Sequence, residues 1–148
     1  MTNRQIITAG CMGALALTVA VFAVWKPWGA YFGPSLPVIK GDAQDAAREA
    51  NLVGGVCYNT SGPGSHLSME PQIHPGDFLI GVATPFADLT AGEVVCRTGI
   101  PGAGLVTHRL KSRRDAEAWI TEGDANLGPD VPMTRTRYVC QITEVFRP

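Results

Sequence analysis

Ser68, His108 and Asp130 put a hydroxyl, an imidazole and a carboxylate into one short chain, the three groups of a nucleophilic acyl-transfer site. A serine hydroxyl is a poor nucleophile until a neighbouring base takes its proton. Imidazole ionises near neutral pH and suits that task. A carboxylate completes the set by fixing the imidazole tautomer and stabilising the imidazolium. Ser68 stands between a Gly/Ser-rich stretch at 60–65 and a turn set by Pro71, which favours an accessible hydroxyl. His108 lies in the alternating run Leu105-Val106-Thr107-His108-Arg109-Leu110. Strand alternation there puts Val106, His108 and Leu110 on one face, and Lys111 on the other, which excludes a Ser–Lys pair with Lys111. Two aspartates offer themselves to the imidazole, Asp124 and Asp130. Both sit beside Gly or Pro, where turn aspartates are common, so the residue types alone leave both open.

Such groups need a rigid frame. Short apolar runs at 52–58, 77–83, 93–97, 104–110, 118–121 and 138–146 are separated by Gly and Pro. Their lengths, and the lack of any long helical period after residue 51, predict a mainly β domain over 52–148, a small, partly closed barrel or folded sheet. Upstream, residues 42–51 are rich in alanine and mixed charge; a short helix is expected, with Asp42 at its positive end. The Pro- and Gly-rich stretch 27–41 reads as a tether, so 27–51 is linker plus short helix.

Residues 6–25 carry no charge and have the length to cross a bilayer core of ~30 Å. Trp28 and Tyr31 follow where an interfacial belt belongs. A cleavable signal would have a shorter apolar region ending at small residues, whereas Trp25 ends this one. Residues 1–26 are therefore expected to be a retained membrane anchor in the lipid bilayer. The net charge of -1 gives no electrostatic case for nucleic acid. The basic cluster Lys111, Arg113 and Arg114 is answered by Asp115 and Glu117 and reads as a solvated turn.

Cys11 falls inside the apolar span, leaving Cys57, Cys96 and Cys140, an odd number, outside it. A Cys96–Cys140 bridge and buried free thiols are both open. No cysteine spacing suggests a metal, and no cofactor is expected.

Ser68-Met69-Glu70-Pro71 with Pro75-Gly76-Asp77, then Thr107-His108-Arg109-Leu110, then Glu122-Gly123-Asp124-Ala125-Asn126 through Asp130 resemble, in order, the nucleophile, base and acidic boxes of type I signal peptidases. The resemblance covers roughly 54–145 and implies a signal-peptidase-like β-fold behind one transmembrane helix. It implies a serine endopeptidase on the extracytoplasmic side, acting on signal peptides or on one dedicated precursor protein. Ser68 would be the nucleophile and His108 the base, as in the histidine-type members found in the endoplasmic reticulum and archaea. Asp130 would orient His108, and Asp124 would brace the loop. His66 occupies the place of a serine that assists the oxyanion in many members, and Met69 flanks the nucleophile on the substrate side. Ala125 stands where the family commonly has an asparagine. His66 and Ala125 are the departures that favour the alternative, a catalytically degenerate homologue acting as a membrane-anchored binding module.

Overall fold

The computed structural model describes residues 33–61, 67–100 and 104–148. The anchor expected at 1–26 and the oxyanion candidate His66 lie outside the described residues. Among the described residues no helix is long and apolar enough to cross a membrane.

The described chain is mainly antiparallel β sheet with one α-helix. Its strands are β1 (Val38–Lys40), β2 (Val56–Asn59), β3 (Phe78–Val82), β4 (Val94–Thr98), β5 (Leu105–Asp115), β6 (Ala118–Glu122), β7 (Met133–Thr134) and β8 (Tyr138–Arg147). They form one sheet in the order β2-β3-β8-β4-β5-β6-β7, and β1 runs parallel to the end of β8. The helix α1 covers Ala43–Leu52. Asp42 caps it by accepting from the backbone N–H of Gln44 and Asp45, and the Asp45 carboxylate accepts in return from Asp42 N–H. This reciprocal box satisfies amides that the first helical turn leaves unpaired.

Two expectations need correcting. The stretch 27–41 is not a free tether throughout, because Val38–Lys40 pairs with Val145–Arg147. Further contacts hold it just upstream: Val145 N–H donates to Pro37 O, and Leu36 exchanges two hydrogen bonds with the Gln72 side chain. Proline and glycine content hid a segment whose backbone groups are satisfied by the domain. The basic cluster is likewise not a turn. Lys111, Arg113 and Arg114 continue β5, and the reversal comes only after Asp115. Arg113 lies over the Trp119 ring at 5.2 Å, and Arg135 reaches back to Glu117 at 3.1 Å. Their aliphatic stems and cross-strand partners let charged residues occupy an exposed hairpin.

The core has three parts. Met69, Ile73, Leu79, Val94, Cys96, Cys140, Ile142 and Val145 pack together. Phe86, Leu89, Val95, Leu110, Trp119 and Met133 form a second cluster. Ala46 and Ala50 seat α1 on Ile80 and Phe146. Each fully buried Leu, Ile, Val or Met contributes roughly 1.5–3 kcal/mol over its exposed state. Cys57, Cys96 and Cys140 are free thiols, and Cys96 stands directly opposite Cys140 across the β4–β8 pair.

Candidate active site

Sheet register explains the placement of the polar groups. Val95 faces His108, Arg97 faces Val106, and Leu110 faces Thr121. Directly opposed residues project to the same side, and so do residues two apart on one strand. Arg97 on β4, His108 on β5 and Thr121 on β6 therefore share one face of three consecutive strands.

Asp130 is delivered to that face by the connection from β6 to β7. Its backbone N–H donates to Thr121 O at 2.8 Å, so the loop folds back onto the strand it has just left. His108 Nδ1 then donates to Asp130 Oδ2. A carboxylate can only accept, which fixes Nδ1 as the protonated nitrogen. Nε2 of the neutral ring is left as an acceptor, 3.1 Å from Ser68 Oγ. The hydroxyl, imidazole and carboxylate are thus joined in one hydrogen-bonded line, within the geometry expected of an activated nucleophile.

Ser68 is held from both sides. It lies in the single 3-10 turn Leu67–Met69, and its neighbour Met69 is only 2% exposed in the core. Met69 therefore belongs to the packing beneath the site, its side chain turned inward onto the core. From the other side, Ala125 N–H donates to Ser68 O at 2.8 Å. Gly123 lies so close that a Cβ there would stand 2.5 Å from Ser68 O and 2.9 Å from Ser68 Cβ. Only glycine fits that approach. The Pro75-Gly76-Asp77 turn plays a supporting part. Asp77 accepts from His74 N–H at 2.7 Å and from the Arg147 guanidinium at 2.9 and 2.8 Å, tying the segment after Ser68 to the end of β8.

The two aspartates have separate partners. Asp124 receives two hydrogen bonds from Arg109, at 2.9 and 3.0 Å. Arg109 also donates to Gly92 O and, at 3.2 Å, to Pro34 O. This buried pair connects the loop behind Ser68, the residue after His108 and the segment leading into β1. Burial pushes the Asp124 carboxyl up and the Arg109 guanidinium down, against the pairing that favours both charges. Such a pair positions more than it stabilises.

Asp130 differs. Burial raises its pKa, but hydrogen bonds and charge from His108, with Thr121 and Arg97, outweigh burial and hold the carboxyl below its ordinary range. Thr121 Oγ1 donates to Oδ2 at 2.9 Å, and Arg97 Nη2 donates to the same oxygen at 3.2 Å. Lys111, three residues beyond His108, instead approaches Glu122 at 3.6 Å.

The structure brings Ser68, His108 and Asp130 together and sets Asp124 on Arg109. Arg97 and Thr121 are additions that the sequence reading missed. Arg97 had one available signal, a charge ending the apolar run Val94-Val95-Cys96, since a buried arginine almost always has a partner. Among the described residues no group of His, Cys, Asp and Glu is arranged to hold a metal ion. Comparison of the chain with protein-family models, with curated proteins and with solved structures finds no match.

Proposed function

We propose that the chain is a membrane-anchored serine endopeptidase of the signal peptidase I type, with Ser68 as nucleophile, His108 as general base and Asp130 as orienting carboxylate. One observation carries this reading: the unbroken line from Ser68 Oγ through the His108 ring to Asp130 Oδ2. In it, Ser68 Oγ attacks the peptide carbonyl while Nε2 takes its proton. A tetrahedral oxyanion forms, and the imidazolium is stabilised by Asp130. The same Nε2–H then passes its proton to the departing amine, leaving an acyl-serine that water hydrolyses by the same two proton transfers.

The sheet supports an extended protein substrate. β6 meets β5 only from Arg109 onward, so Leu105–His108 has β4 on one side and no described strand on the other. A substrate chain laid there as an added strand would meet backbone donors and acceptors beside Ser68. The apolar segment 6–25 would serve as a tether, raising the local concentration of precursors emerging at the membrane. In this reading the domain faces away from the cytoplasm and the precursors are secreted or membrane proteins.

The test is cleavage of membrane-inserted precursors bearing small-x-small sites by the full chain and by Ser68→Ala and His108→Ala. Both substitutions are expected to lower kcat by roughly 10⁴-fold or more. Loss in Ser68→Ala alone would assign the base elsewhere. No cleavage of any precursor by the unaltered chain would favour the binding-module alternative.

A further inference from the structure

Given the peptidase reading on which it rests, we propose that Arg97 is a positioning residue: its guanidinium clamps Asp130 Oδ2 beside His108 and offsets part of that oxygen's charge, setting the pH range in which His108 is free to accept a proton.

The geometry is specific. Oδ2 accepts from three donors on three adjacent strands: His108 Nδ1, Thr121 Oγ1 at 2.9 Å and Arg97 Nη2 at 3.2 Å. Arg97 is 6% exposed, and its Nε is buried with no hydrogen-bond partner among the described residues. Burying a guanidinium while leaving a donor unmet is costly. The contact that recovers part of that cost is the one to Asp130, the residue that also holds the imidazole. Arg109 shows the contrast: it makes a two-pronged pair with Asp124 on another side of the loop.

The charges around His108 fix the sign. Asp130 favours the imidazolium. Arg97, reaching the same oxygen from β4, opposes it. Asp124 also senses the imidazole charge but is bound to Arg109, and Lys111 acts on Asp124 in turn. Ser68 and Thr121 contribute hydroxyls only. Removing Arg97 leaves Asp130 uncompensated, which favours the charged imidazole over the neutral one.

The experiment follows His108 directly, by NMR titration of the full chain in detergent micelles, with His66→Gln and His74→Gln assigning the other two imidazoles. Arg97→Met should raise the His108 midpoint by about one pH unit, a tenfold gain in proton affinity. Arg97→Lys, which keeps a cation without the fork, should recover at least about half of that difference. Where the chain cleaves precursors, the acid limb of kcat/KM should move upward in step with the titration. An unchanged midpoint in Arg97→Met, with only a lower melting temperature, would overturn the proposal and leave Arg97 a packing residue. If Arg97→Met does not fold, the unaltered protein still decides: the Arg97 Nη–H signals should shift with the midpoint of His108, and their independence of it would overturn the proposal. Failure of the unaltered chain to cleave would count against the peptidase reading alone, because the titration needs no substrate.

Discussion

At the scale of single residues, the site depends on one oxygen. Asp130 Oδ2 accepts from an imidazole, a hydroxyl and a guanidinium, and each donor restricts the others. Asp130→Asn keeps the shape but replaces an acceptor-only group with one that can donate, so His108 loses the reason to protonate Nδ1. Its kcat on a precursor is expected to fall about 10³- to 10⁴-fold with KM little changed. Thr121→Val removes one hydrogen bond of about 1 kcal/mol, so a loss of only about fivefold is expected. Steady-state kinetics on the two variants checks both, and equal losses would show that Thr121 does more than brace the carboxylate. Of these groups, Ser68 and His108 were named from the sequence by residue type and box order, and Asp130 through the family resemblance of the box it ends. Arg97 and Thr121 were not, since an arginine and a threonine in strands have many ordinary roles.

At the scale of elements, the loop 123–126 sets the position of Ser68. Gly123 lets the loop approach within van der Waals contact of Ser68, and Ala125 N–H then donates to Ser68 O at 2.8 Å. Gly123→Ala forces a Cβ against a backbone oxygen at 2.5 Å, an approach that only movement of Ser68 or of the loop can relieve. A displacement of this kind is expected to cost about 100-fold in kcat. The check is the rate of Gly123→Ala at a temperature where its far-ultraviolet circular dichroism matches that of the unaltered chain. A near-normal rate would mean the loop yields without disturbing Ser68. Element types were well read where apolar runs alternate or end at Gly and Pro, as in β3, β4 and β6. The misreadings came where partners outweighed local composition: β1, a strand only because β8 offers it an edge, and the outer half of β5, charged yet paired with β6.

At the scale of the whole molecule, buried carboxylates predict how stability responds to acid. Burial raises the Asp77 pKa, but Arg147 and the His74 amide outweigh it and hold the group below its ordinary range, as the partners of Asp130 do there. A depressed folded pKa means the unfolded chain binds the proton more readily. The stabilisation from Asp77 and Asp130 is therefore complete above the unfolded value of about 4 and is lost as pH falls through the lower folded values. Asp124, raised by burial, works in the opposite sense and loses stability as its charge forms. Urea unfolding between about pH 2 and pH 6 should show stability falling below about pH 4, with a shallower fall in Asp77→Asn and a steeper one in Asp124→Asn. The same slope in all three proteins would remove these ion pairs from the account.

The sequence by itself determined the β-rich class of the domain, the short capped helix and the identities of the serine, histidine and aspartate that could act together. Those follow from local physics: alternation, turn residues, capping side chains and the intrinsic chemistry of a hydroxyl, an imidazole and a carboxylate. It left Asp124 and Asp130 both open from residue type, since each is a turn aspartate of the same box. The resemblance assigned them different parts, and the tertiary structure gives them different partners, bringing Asp130 back onto Thr121 O and sending Asp124 to Arg109. It alone placed Arg97 beside Asp130, and it alone turned Met69 into core. The physical reason is register: which side chains share a face across β4, β5 and β6 depends on strand pairing between distant parts of the chain, which no local pattern encodes.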